Sequence, residues 1–230
     1  MADIGFRSRN PATGFIQIDS TYKNWTLRSK TTFTLSDFSG YDYQGSILVN
    51  ASANACIAWR SDQTAALVFK VGNQLTFRSF GGSTTPPATI TVYVFDEPAF
   101  GLSTGGNFGL RVRNAAGGVT FDSRLKYMRR LDELSGPNEP ASPITRTYGS
   151  NYVPAVIQGN LCYYAGYEPV GVGTVVPYME IFKILGARMS GSSVTWTLVG
   201  YGGHQTFDPP NVPPGQQLAY SYTIIDVAGF

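Results

Sequence analysis

Gly109-Leu110-Arg111-Val112-Arg113-Asn114-Ala115-Ala116-Gly117-Gly118, near the middle of the 230-residue chain, restates its beginning, Gly5-Phe6-Arg7-Ser8-Arg9-Asn10-Pro11-Ala12-Thr13-Gly14, with six of ten positions identical. Ile18-Asp19-Ser20 then returns as Phe121-Asp122-Ser123, and Lys23 as Lys126. A repeat at this spacing makes the chain two versions of one unit. The motif itself reads as a hairpin. A strand ends at Arg9 or Arg113, turns through Asn-x-Ala-x-Gly, and returns into Ile16-Gln17-Ile18 or Val119-Thr120-Phe121.

Working outward, Cys56 matches Cys162, and Val68-Phe69-Lys70-Val71 matches Ile181-Phe182-Lys183-Ile184. Both halves close on an Asp followed four residues later by Phe: Asp96 and Phe100, Asp226 and Phe230. The expected organisation is one domain over residues 1–100, a Gly-rich linker over 101–108, and a second domain over 109–230. Counted from the motif, the second half is 26 residues longer (122 against 96). The extra length falls in 165–173 and 201–210, and long surface loops are where a rigid scaffold carries specificity. Tyr167, Tyr201, His204, Phe207 and Asp208 are therefore the candidate binding residues.

Period-two runs of β-branched and aromatic residues recur, as in Thr89–Phe95 and Val194–Val199. Ser46–Val49 and Thr64–Val71 read as more fully buried strands, and Gly, Asn and Pro pairs punctuate them. Arg124–Leu134 has apolar residues at a helical spacing, but its counterpart, Thr21–Phe33, is strongly β-like. One repeated element takes one structure, so both read as a strand or a turn leading into one. The fold class expected is all-β: two tandem antiparallel β-sandwich domains, jelly-roll or immunoglobulin-like.

The net charge of +2 carries no nucleic-acid footprint. No apolar run reaches the length of a membrane span. Met1-Ala2-Asp3 opens straight into the domain, so no cleavable signal peptide is expected. The two cysteines, placed alike in separate halves, read as buried free thiols. With one histidine, His204, a multi-histidine metal centre is excluded, and no nucleophile elbow, phosphate loop or zinc-protease motif is present. No catalytic residue, metal or cofactor is assigned. Asp208, Glu168 and Glu180 are the only carboxylates worth weighing for glycoside hydrolysis, and no spacing ties them to it. Asp19, Asp122, Asp96 and Asp226 recur in both halves, which points to local backbone capping. Tyr163, Tyr164, Tyr167 and Tyr201 suit either an interface or a core.

The stretch Gly109–Arg124, followed by Leu131-Asp132, resembles the opening of small virion proteins of tailed bacteriophages and prophages, with their Gly-Leu-x-Val-x-Asn…Phe-Asp-Ser pattern. The second half matches closely. The first departs from it, with Ile18 in place of Phe and one additional residue. The resemblance implies a structural tail-tip or tail-fibre protein. Its partners would be other tail proteins, further subunits of the same chain, and a host-surface receptor or glycan. It implies residence in the virion and no catalytic residues. A head decoration or spike, or a glycan depolymerase, are the alternatives.

Overall fold

The computed structural model describes residues 7–9, 16–19, 24–38, 42–80, 85–103, 105, 108–169, 178–206 and 215–230; for 7–9, 16–19, 168–169, 180 and 201–206 it describes the backbone alone. The first half contributes β1 (Arg7–Arg9), β2 (Ile16–Asp19), β3 (Thr26–Thr34), β4 (Asp37–Phe38), β5 (Asp42–Leu48), β6 (Cys56–Ser61), β7 (Ala65–Val71), β8 (Gln74–Phe80) and β9 (Thr89–Asp96). The second contributes β10 (Arg111–Arg113), β11 (Val119–Asp122), β12 (Arg129–Gly136), β13 (Ile144–Thr147), β14 (Pro154–Gln158), β15 (Tyr163–Pro169), β16 (Tyr178–Ser190), β17 (Ser193–Thr206), β18 (Gly215–Gln217) and β19 (Tyr220–Asp226). The class is all-β. Among the described residues, the only helical element is a single 3-10 turn over Pro98–Phe100.

The opening motif forms a hairpin in each half, with Arg7 opposite Asp19 and Arg111 opposite Asp122. In the second half the turn is closed by Asn114, whose backbone and side-chain amides bracket Gly118, while Gly117 takes a positive φ of 81°. Arg124–Leu134 ends in β12, and its counterpart runs into β3.

The halves do not lie apart. A six-stranded sheet runs β12-β19-β14-β6-β9-β3; a nine-stranded sheet runs β13-β17-β16-β7-β8-β5-β4, with β15 branching from β16 and β18 pairing with β15. Each sheet passes from one half to the other at its centre, at Val156 opposite Trp59 and at Ala187 opposite Ala65. The strand order matches from either end of the first sheet, with β12, β19 and β14 corresponding to β3, β9 and β6. Between the sheets lies one core built by both halves: Leu35, Trp59, Phe77 and Ile90 from the first, Val156, Leu185, Trp196 and Ile224 from the second. The 101–108 stretch is tied down at its start, where Leu102 donates to Leu27 O and Ser103 bridges to Leu125.

Strand β9 shows why its sequence is almost continuously apolar. Ile90, Val92 and Val94 face the main core, while Tyr93 and Phe95 face a smaller cluster with Leu27, Ala58, Ala155 and Ile225. Phe230 packs edge-on to Phe95 at 5.7 Å and helps cover that outer face. A strand buried on both faces loses its alternation.

The ladders correct two internal matches. Cys56 lies opposite Phe95 and Ala155 opposite Ile225, each one residue before the closing Asp. Ala155 is thus the counterpart of Cys56, and Cys162 lies beyond the end of β14. Both cysteines are free; Cys162 is in the main core and Cys56 is half-buried against the smaller cluster. The β7–β8 and β16–β17 turns are also equivalent, since Val71 pairs Gln74, Ser190 pairs Ser193, and Gly72 and Gly191 share a φ of +56°. Lys70 therefore matches Met189, not Lys183. From Trp59 to Gly72 the step is 13 residues, whereas from Gln158 to Gly191 it is 33. The added length is regular in its described part: β15, the first half of β16, the end of β17, and β18.

Candidate interaction surface

Of the carboxylates that recur in the two halves, Asp122, Asp96 and Asp226 are occupied. Asp122 is buried, takes Arg124 through both oxygens (2.6 and 2.9 Å), accepts the Arg124 backbone amide at 3.0 Å and pairs with Arg111 at 2.7 Å. The Arg124 hydrogen bonds lead in holding its carboxyl well below the usual range, against burial, which pulls the other way. Asp96, fully buried, would be raised by burial; hydrogen bonds from Ser52, Arg28 and Glu97 outweigh that and lower it. Asp226 is held by Arg129 at 2.8 Å and by the amides of Val153 and Ala228. Such groups fix turns and strand ends. Among the described residues no cluster of His, Cys, Asp and Glu is arranged to hold a metal ion. Burial raises the Cys56 thiol to about 11, with the Lys70 charge pulling it back only in part, so at neutral pH it is protonated.

Of the residues proposed from the insertions, Tyr167, Tyr201 and His204 stand on strands, not loops. Tyr167 lies opposite Glu180, and Glu180 faces a bulge in which Gly203 and His204 share one position. Tyr201 stands opposite Phe182, two residues further along. One register row thus joins Tyr167, Glu180 and the His204 bulge. Phe207 and Asp208 lie outside the described residues. The Arg78 guanidinium sits 5.9 Å from the Phe182 ring, tying this extension back to β8.

A different surface emerges at the tip of the first half, where β5 ends, the 49–55 segment crosses, and β7 turns into β8. A cavity of about 580 Å³ opens there. Val49, Ile57, Ala51 and Ala53 give its aliphatic walls, Ser52 and Asn73 add polar groups, and Lys70 is the only charged residue in the lining. Lys70 is exposed and has no ion pair or hydrogen bond among the described residues. On the outer face of the same tip, Leu48 (79% exposed), Phe69 (61%) and Val71 (74%) form an apolar rim. Leu48, Gln74 and Val71 share one cross-strand row, and Ser46, Thr76 and Phe69 share the next row on that face.

The second half carries the same corner with different residues. Val49 N donates to Asn73 O at 2.9 Å, and Tyr148 N donates to Ser192 O at 3.0 Å, so Val49 and Tyr148 are equivalent. Leu48 opposite Gln74 matches Thr147 opposite Ser193, and the rows of Phe69, Lys70 and Val71 match those of Arg188, Met189 and Ser190. Tyr148 packs on the core with its hydroxyl on Asp132, and Met189 is buried. Five equivalent positions thus differ: Leu48/Thr147, Val49/Tyr148, Phe69/Arg188, Lys70/Met189 and Val71/Ser190. In the first half the outer face is apolar and the interior open and charged; in the second the outer face is polar and the interior filled.

Sequence reading missed this surface because Thr64–Val71 looks like a buried strand, whereas β7 is buried only at its start and exposed at Phe69–Val71. Aligning the two halves on their Gly72 and Gly191 turns is the signal that exposes it. Comparison with known proteins gives no match to a family model, a curated protein or a solved structure.

Proposed function

We propose that this protein is a structural component of a tailed-phage virion, at the tail tip or tail fibre, and that it works by presenting surfaces and not by transforming a substrate. The resemblance of Gly109–Arg124 to the opening of small phage virion proteins supports the location. The observation that carries the assembly role is the contrast between the two equivalent corners. An apolar outer face beside an open cavity, replaced by polar and space-filling residues in the related half, has the character of a contact surface. The recurring Asp–Arg pairs support the same reading, since the recurrent carboxylates hold the scaffold together. The first half docks to neighbouring virion proteins, further subunits among them, and the strand extension of the second half is turned to the host surface or a neighbour.

The test is to find the protein in purified particles by mass spectrometry and to place it by immunogold labelling. Label at the tail end supports the proposal. Label on the capsid moves the protein to the head, and its absence from particles sinks the virion reading. Turnover of host polysaccharide by the purified chain, lost on substituting Glu168 or Asp208, would favour a depolymerase instead.

A further inference from the structure

We infer that the first-half corner is an anchor pocket for a segment of a partner protein in which a carboxylate side chain lies beside an aliphatic or aromatic one. The inference rests on the assembly reading and goes beyond it by naming the chemistry the corner accepts. The cavity, about 580 Å³, falls within the ~300–1,000 Å³ typical of sites that enclose a ligand group. Its walls are aliphatic, and its single charge is the Lys70 ammonium, which has no carboxylate partner among the described residues. An incoming carboxylate supplies that partner, and charge-assisted contacts are among the stronger polar interactions. The adjoining apolar residue of the segment lies against the aliphatic walls that Val49, Ala51, Ala53 and Ile57 supply. The lining holds no aromatic ring on which a sugar would stack, which favours a peptide over a glycan.

The related half supplies the control variants. Val49→Tyr and Lys70→Met install residues that the same fold already carries at equivalent positions, so V49Y/K70M is expected to fold; amide dispersion in its NMR spectrum checks this, and Lys70→Gln is a second, smaller change. The probes are acetyl-Gly-Leu-Asp-Leu-Gly-amide and its Asn counterpart, titrated at millimolar concentration into the full-length ¹⁵N-labelled chain. The expected result is that the Asp peptide shifts the amides of Val49, Ile57, Lys70 and Asn73, and that the Asn peptide binds about tenfold more weakly. K70Q removes that difference, and V49Y/K70M removes binding. Equal binding of the two peptides, shifts centred elsewhere, or no shift with either peptide would overturn the inference. Glucuronate binding at the corner where neither peptide binds would overturn it in favour of an acidic glycan. The readout uses the isolated chain, so it fails or succeeds independently of where the protein sits in a particle.

Discussion

Arg28 Nη1 stands 2.6 Å from Asp96 Oδ2, and Asp96 is fully buried at the end of the strand that closes the first half. The Ser52 hydroxyl and amide and the Glu97 amide complete the shell around that carboxylate. Removing the arginine leaves a buried charge without the one cation it pairs with among the described residues. Arg28→Ala is expected to cost about 3 kcal/mol in urea-monitored unfolding. A loss below about 1 kcal/mol, the range of exposed pairs, would mean the pair is no more than a surface contact.

The same carboxylates set an acid limit. Asp96 and Asp122 are both held below the ordinary carboxylate value in the folded protein. Their contribution is therefore complete above the unfolded value of about 3.9 and is lost as pH falls from there toward the folded values. The stability gap between wild type and Asp122→Asn should be constant from about pH 5 to 8 and shrink below about pH 4. A gap that stays constant at pH 3 would contradict this assignment.

One core shared by both halves predicts one unfolding event. Trp59 and Trp196 are fully buried in that core, one from each half. Trp59→Ala and Trp196→Ala should each cost about 3–5 kcal/mol and should lower the same single calorimetric transition. Two transitions, each moved by only one of the variants, would show that the halves fold separately. Neither indole N–H has a hydrogen-bond partner among the described residues. Trp→Phe at either site should therefore lose packing volume but no hydrogen bond, and cost clearly less than Trp→Ala.

Much of the architecture was legible because it depends on local rules. The Asn114–Gly118 turn, the strand alternation of Val194–Val199 and the recurrent Asp122 cap are written in short range, and the all-β class follows from them. What was not legible depends on contacts across the repeat. Nothing local in Trp59 or Val156 tells that they meet and fuse two sheets. The short similarity of Val68–Val71 to Ile181–Ile184 outweighed the turn glycines Gly72 and Gly191, which hold the true register. That shift hid the correspondence of Lys70 with Met189 and of Val49 with Tyr148, and placed the functional expectation in 165–173 and 201–210. Most of the described part of that extension is strand, with Tyr167, Glu180 and the His204 bulge on one register row.

The corner contrast also makes a prediction about folding. Leu48→Thr, Phe69→Arg and Val71→Ser together copy the polar face that the second half carries. Exposed substitutions of this kind change stability by about 0.5 kcal/mol or less each, so the triple variant should melt within a few degrees of wild type. A large loss of stability would show that the rim serves the fold itself.

Incorporation of that triple variant into particles is the most direct measurement of the docking role. In cells producing a phage that lacks the gene, the wild-type chain supplied in trans should enter virions, and the soluble, folded triple variant should be absent or strongly depleted. A matched change on the equivalent face of the second half, Thr147→Ser with Ser190→Thr, should enter like wild type. Incorporation of the triple variant at the wild-type level would show that Leu48, Phe69 and Val71 are not the docking surface.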